Sequence, residues 1–306
     1  MNHKTRLFFI ILVSTLSLPA IAGGSKKPKK EFVHAPMPKY KRIVAIDSVN
    51  TNQILASGLD DEKYQILLAE QFSNYLISSG RYVEEPLSSE GAQLELDVAV
   101  IAFEAVSDRG VKFGFNPTST FSPVGVNLDV RVTSMKVTFR ISARDTVTSR
   151  VVGSVEAAAI MQDKSANISL KYLDFVDLNY ASTSKTPLSS VTAVALRHGV
   201  AKLAKNILHI PWEAKVTEVL IDEQRVFVKI NAGFDVNLKE GDELSLYANF
   251  EQGGFVKNDL ELRSLSVSQA WAESRDEASK VYLPVVGDRV LVKEDAKAMG
   301  SFLKFY

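Results

Sequence analysis

RIVAIDSVNTNQILASGLDDEKYQILLAEQFSNYLISSGRYVEEPLSSEGAQLELDVAVIAF, residues 42–103, reads as a strand, a helix, a short strand and a long strand in immediate succession. Ile43 to Ile46 form a mostly β-branched apolar run, the pattern of a strand buried on both faces. Asp60 and Asp61 offer an N-cap with favourable charge. Leu67, Leu68, Phe72, Tyr75 and Leu76 then recur at helical spacing, and Gly80 stands where a left-handed C-cap is expected. The chain turns back through RYVEEP. Leu94, Leu96, Val98 and Val100 next alternate with Glu95, Asp97, Ala99 and Ile101, so one face of a long strand is apolar throughout. A helix is laid across a sheet, and the rest of the chain is hung on that pair.

C-terminal to this core the sequence is strand-rich. ARDTVTSR, residues 143–150, supplies the turn of a long hairpin between Val137 to Ile141 and Val151 to Val155, of the kind found at sheet edges. A second turn-like region, MQDKSANIS, precedes LKYLDFVDLNYAS. Pro187 and the Ser189-Ser190 pair open a second helix to about His209, with Val191, Val194, Ala195, Val200, Leu203 and Ile207 near one stripe. From Pro211 the pattern changes: WEAKVTEVL, QRVFVKI, GDELSLYA and GDRVLVKE are short alternating strands, separated by turn residues such as Asn231, Gly233, Gly241 and Asp242. Two Gly-Asp pairs, Gly241-Asp242 and Gly287-Asp288, each open a strand, which predicts a small β-barrel or sandwich. The expected class is α+β: a mixed sheet with flanking helices over 41–210, followed by a small all-β barrel or sandwich domain over 211–306.

The opposite end carries an address. Lys4 and Arg6 precede an apolar core from Leu7 to Leu18, then Pro19 and Ala20-Ile21-Ala22, the pattern of a secretory signal peptide cleaved after Ala22. The apolar run is short against the about 20 residues of a membrane-spanning helix. Residues 23–40, GGSKKPKKEFVHAPMPKY, form a basic leader, read either as a solvated tail or as an electrostatic tether for anionic headgroups or an acidic partner. Over 306 residues, 36 basic side chains balance 36 acidic ones; losing Lys4 and Arg6 with the signal leaves a net charge of −2, which argues against nucleic acid as a partner. With no cysteine, an exported chain of this length relies on core burial, and no acylated cysteine follows the signal.

The order of the RIVAIDSV strand, a helix ending in SSGRYVEEP, LELDVAVIAFEAV, the VTFRISARDTVTSRVVGSV hairpin and TPLSSVTAVALRHGVAKL resembles the curli secretion-channel (CsgG) family over about residues 41–209. The related periplasmic flagellar-ring assembly proteins share this framework, and VFVKINAGFDVNLKEGDELSLY resembles the carboxy-terminal β-domain of the flagellar outer-membrane-ring assembly protein. The resemblance implies a periplasmic α/β domain that packs side by side into rings at the outer membrane. In the curli channel two hairpins per subunit enter that membrane and a lipidated cysteine anchors it; here the cysteine is missing. The corresponding regions are Asp108 to Val132 and Ser154 to Ser184. Val111, Phe113 and Phe115 alternate correctly, as do Val124, Val126, Leu128, Val130 and Val132, making them the candidate membrane or extended hairpin, although Lys112, Asp129 and Arg131 lie between. The second region is broken by Asp163, Lys164, Lys171, Asp174 and Asp177, the pattern of a soluble extended hairpin. The loop that narrows the curli pore falls near Asn50 to Gly58 and holds no aromatic residue.

Catalytic signals are missing. His3, His34, His198 and His209 are scattered, and no metal spacing, phosphate-binding loop or nucleophile elbow occurs. Ser182 and Lys185 fit a Ser-x-x-Lys spacing by chance, in a polar loop. Glu84-Glu85 and Asp60-Asp61 are sequence neighbours, which suit a strand's two faces and a helix start. The expectation is a non-enzymatic component without cofactor. It would be periplasmic, associated with the outer membrane and self-associating into a ring with other outer-membrane complex proteins, within an envelope-spanning secretion machine (a type IV apparatus for one) or a flagellar ring. The alternative is an oligomeric outer-membrane β-barrel pore exporting a polypeptide. The oligomer contacts are unknown from the sequence, with the exposed sides of Asp60 to Ser79 and Ser189 to His209 as candidates.

Overall fold

The computed structural model describes residues 36–51, 61–86, 91–107, 112–115, 132–164, 167–172, 177–179, 187–247, 257–275 and 283–293. The proposed signal, most of the leader, Asp60, and five of the eight candidate hairpin residues (Val111, Val124, Val126, Leu128 and Val130) lie outside them.

Strand β1 (Arg42–Asn50) is followed by helix α1 (Asp61–Ser78), β2 (Tyr82–Glu84) and β3 (Leu94–Ser107), the order read from the opening stretch. β1 lies parallel to both β2 and β3. Its apolar run is buried on both faces, with Ile43, Ala45 and Val44 each at most 1% exposed. Gly80 takes φ 69° just after α1, the left-handed conformation that glycine adopts without penalty. β4 (Lys112–Phe115), β5 (Val132–Asp145), β6 (Val151–Lys164), β7 (Asn167–Tyr172) and β8 (Asp177–Asn179) complete an eight-stranded mixed sheet in the order β2-β1-β3-β5-β6-β7-β8, with β4 paired to β3 beyond the end of β1. The β5–β6 hairpin therefore lies inside the sheet. The edge placement expected for it fails because β7 pairs with β6 along Ala159–Lys164, a strand that the sequence presented only as a polar, charge-broken stretch.

Helix α2 (Pro187–Asn206) lies with α1 on one face of this sheet. Leu68, Phe72 and Leu76 of α1 and Val191, Ala195, Val200 and Leu203 of α2 share a core with Leu94, Leu96 and Val98 of β3 and with Val137, Phe139 and Ile141 of β5. Small residues let α2 approach closely. A Cβ on Gly199 would stand 2.5 Å from Ile141 Cδ1, and one on Gly153 would stand 2.6 Å from Ile207 Cγ2. The helices are also bonded to each other inside the core, where the Tyr64 and Thr192 hydroxyls lie 2.7 Å apart. Burial pushes the Tyr64 phenol well above its ordinary value.

From Trp212 the chain builds a second sheet of six strands: β9 (Glu213–Asp222), β10 (Arg225–Ile230), β11 (Glu243–Tyr247), β12 (Lys257–Leu265), β13 (Ala270–Ser274) and β14 (Arg289–Val292). They close into a barrel in the order β10-β13-β12-β11-β14-β9. Alternation places Val228, Ile230, Leu244, Leu246, Leu260, Ala272 and Val290 in one fully buried cluster, as the period of two requires. The two Gly-Asp pairs are one device used twice. Gly241 and Gly287 take φ 83° and 96°, and each following aspartate accepts from the amide three residues before it, Lys239 and Val285, while donating its own amide to that residue's carbonyl. β12 and β13 have no counterpart in the sequence reading.

Candidate functional site

Among the described residues, the buried polar side chains Gln93, Asp145, Glu213 and Asn231 lie where the barrel meets the sheet. Arg42, at the start of β1, sends its guanidinium to the Pro211 carbonyl (3.0 Å), the Ile207 carbonyl (3.1 Å) and the Ile210 carbonyl, and reaches Gln93 Oε1 at 3.4 Å. Gln93 Nε2 also donates to the Pro211 carbonyl at 2.7 Å, so the linker from α2 into β9 is gripped from two sides. Asn231 is a two-ended clamp: its amide donates to the Gly91 carbonyl (2.6 Å) while its oxygen accepts from Lys215 N (2.7 Å). Trp212 Nε1 donates to the Lys41 carbonyl at 2.9 Å, and the indole packs on Tyr40 with ring centroids 5.4 Å apart.

A charged cluster closes the seam. Arg289 on β14 donates through Nε to Glu213 Oε2 at 2.7 Å, and its Nη2 meets both Glu213 Oε1 and Asp145 Oδ2, the latter at 3.6 Å. Asp145 belongs to the sheet, where its carboxylate also accepts from the amides of Val147 and Thr148 and from the Thr148 hydroxyl, holding the β5–β6 turn. Glu213 is 6% exposed; burial raises its carboxyl above the ordinary 4.5, with Arg289 opposing the shift and Asp145 adding to it. Burial likewise pushes the Tyr82 phenol up to about 12, against the pull of Arg42 and Arg81. One arginine facing two carboxylates, with a second arginine beside them, is an arrangement that fixes orientation; a carboxylate already held by an arginine is poorly placed to take a substrate proton.

The opposite end of the sheet is where the strands adjoining the candidate hairpin regions stop. β3 pairs with β5 as far as Ser107 opposite Val132, β5 with β6 as far as Ser134 opposite Gln162, and β6 with β7 as far as Lys164 opposite Asn167. β3 and β6 therefore stop at the same end of the sheet; residues 108–111 and 165–166, which follow them, lie outside the described residues, and β4 and β7 run back along the strands that precede them. Phe113 and Phe115 lie in β4, opposite Ala105 and Phe103, and Val132 is the first residue of β5. Within the second region Ala157, Ala159 and Met161 are buried under α2. That stretch is mid-sheet core, and beyond Gln162 the described residues Asp163 and Lys164 pair with Ile168 and Asn167 of β7.

The helical faces read as contact candidates lie away from the sheet. On α1, Ile66 and Ile77 are 53% and 55% exposed, with Glu70 and Asn74 exposed between them; on α2, Arg197 and Lys205 are exposed. His198 is buried within that helix, and His209 is exposed just beyond its end. Among the described residues no group of three or more His, Cys, Asp or Glu could hold a metal ion. A shallow cleft of about 560 Å³ is lined by Lys39, Phe234, Asn237, Leu238 and Lys239. Its lining brings no nucleophile and base together. The seam escaped the sequence reading because its members come from separated segments and leave no spacing; the only local signal was the run Pro211-Trp212-Glu213.

No family model and no curated protein matches the chain. Among solved structures it is similar to a PelC dodecamer from Paraburkholderia phytofirmans, at 13% identity over 56% of this chain and 92% of that one, with a TM-score of 0.30. It is also similar to a protein from Xanthomonas campestris assigned to a family of unknown function (13% identity, 56% and 83%, TM-score 0.27). A lipoprotein from Neisseria meningitidis gives 9% identity, 53% and 99% coverage and a TM-score of 0.25. Likenesses this loose carry no argument about what the chain does.

Proposed function

We propose that this chain is a non-enzymatic, exported envelope protein that acts at the outer membrane as a ring-forming component of an envelope-spanning assembly, secretory or flagellar, with its barrel as an adaptor for a neighbouring component. The observation that supports this reading is the seam. Arg42, Asp145, Glu213 and Arg289 fasten the barrel to the sheet, so the two parts present their surfaces at a fixed mutual angle. An adaptor needs that; a hinge would not tolerate it. The signal peptide proposed for residues 1–22 supplies the route to the periplasm.

Isolation of the full-length protein from its own cell envelopes in mild detergent, followed by partner identification and particle imaging, tests the reading. A large ring containing other proteins is the expected result. A homo-oligomer of this chain alone, with density crossing a detergent belt, would replace it with the pore. One observation bears on that second reading: β3 and β6 stop at the same end of the sheet, the side-by-side placement that strands entering one membrane need. Release from membranes by salt or high pH marks the peripheral ring component, and extraction only by detergent marks the pore.

A further inference from the structure

A closed barrel has no strand edge to offer, yet the β9–β10 ribbon outruns this one. β14 pairs with β9 only over Glu213–Lys215, and the ladder ends with the amide and carbonyl of Val216 bonded to Asp288 and Gly287. β9 continues to Asp222, paired on its other side with β10. Among the described residues, no strand pairs with residues 217–222 on the outer side. In a two-residue hairpin the pair flanking the turn, here Asp222 and Arg225, is the mutually hydrogen-bonded one, and such pairs alternate along the ladder. The outward-pointing backbone N–H and C=O groups are therefore those of Val219 and Ile221. Leu220 and Ile221 are 52% and 51% exposed, which is unusual for neighbouring large apolar residues on a strand.

We propose that this edge is a docking site for an extended, basic and apolar strand of a partner protein, added to the ribbon by main-chain hydrogen bonding. The register defines the partner's chemistry. One face of β9 carries Glu218, Leu220 and Asp222, with Glu223 beyond, and its other face carries Val219 and Ile221. Glu218 already meets Lys229 across the ribbon at 3.4 Å, which shows that this face accepts a lysine beside it. A complementary strand places lysine or arginine on either side of an apolar residue on the first face and two apolar residues on the second, the five-residue pattern Lys-Val-Leu-Val-Lys. Main-chain bonding supplies the affinity of such a complex, and alternate side chains its selectivity. The site is separate from the helix faces considered for ring contacts.

The test uses the full chain and an end-capped peptide, Ser-Lys-Val-Leu-Val-Lys-Ser, carrying a fluorophore, with a second peptide in which glutamate replaces both lysines. The lysine peptide is expected to bind at least ten-fold more tightly than its acidic counterpart, and to slow hydrogen exchange at Val219 and Ile221 specifically. Ile221→Pro removes one outward N–H without touching the ladder to β10, and is expected to weaken binding at least ten-fold with thermal unfolding unchanged. Should that variant lose stability, Leu220→Lys, which keeps the backbone and reverses the attraction, gives the same reading. Equal binding of the two peptides, or protection elsewhere in the chain, overturns the proposal. Concentration-dependent self-association that Ile221→Pro abolishes overturns it too, in favour of edge pairing between copies.

Discussion

Arg42 holds more of the seam than any side chain near it, through a planar fork of donors that lysine lacks. Replacing Arg42 with Lys leaves the carbonyls of Pro211 and Ile207 competing for one ammonium, and is expected to cost about 2–3 kcal/mol in urea unfolding. Glu213 gives a pH signature. Its folded value lies above the ordinary 4.5, so between the two the folded chain holds a proton that the unfolded chain has lost. The stability linked to this carboxyl is present below pH 4.5 and is lost as pH rises through the folded value. Glu213→Gln lacks that step. The stability of the natural chain minus that of the variant, measured by urea unfolding, is expected to fall as pH is raised across the window; a flat difference would mean that burial does not perturb the carboxyl. None of these roles was legible in the sequence. Arg42 looked like the polar start of a strand and Glu213 like one charge in an alternating run, since burial and partnership are made by the distant Ile207, Pro211 and Arg289.

Elements were legible where pattern and punctuation agreed. β1, α1 and β3 were read correctly because a β-branched run, a helical stripe ending in Gly80 and a strict alternation stood side by side. β12 was missed because KNDLELRSL carries its alternation among six polar or charged residues, and β13 because AWAES is short and fills its inward positions with small side chains. Asp259, Glu261 and Arg263 of β12 and Glu273 of β13 have a common use. Arg225, Glu273, Arg263, Glu261, Arg275, Glu243, Lys293 and Asp259 form an unbroken alternating chain of ion pairs around the outside of the barrel. Each link is solvent-screened, so Arg263→Gln is expected to cost less than about 1 kcal/mol at low salt, with the difference shrinking towards zero at 1 M salt. Packing of α2 is less forgiving. Gly199→Ala places a methyl group against Ile141 and Ala157 and is expected to cost about 1–3 kcal/mol by overpacking, read as a lowered urea midpoint with an unchanged slope.

For the proposed ring, the α1 face bearing Ile66, Glu70, Asn74 and Ile77 is the clearest candidate contact outside the seam. Glu70→Lys on that face is expected to dissolve the proposed ring in detergent while leaving the melting temperature of the isolated chain nearly unchanged; a ring of unchanged size in negative-stain images would remove α1 from the contact. How copies meet was beyond the sequence, because a helix face that binds another copy and one that meets water have the same periodicity. The seam lies at one end of β3, β5 and β6, three strands of 14 residues each. At about 3.3 Å per residue the sheet is a ruler of about 46 Å between the seam and the far ends of these strands. Such a ruler has coarse gradations. Lengthening all three strands by two residues moves the far end by about 7 Å and keeps every side chain on its own face, whereas a change of one residue would turn the apolar rows outward. The distance from the seam to the far end of the sheet is therefore free to drift through evolution only in steps of that size.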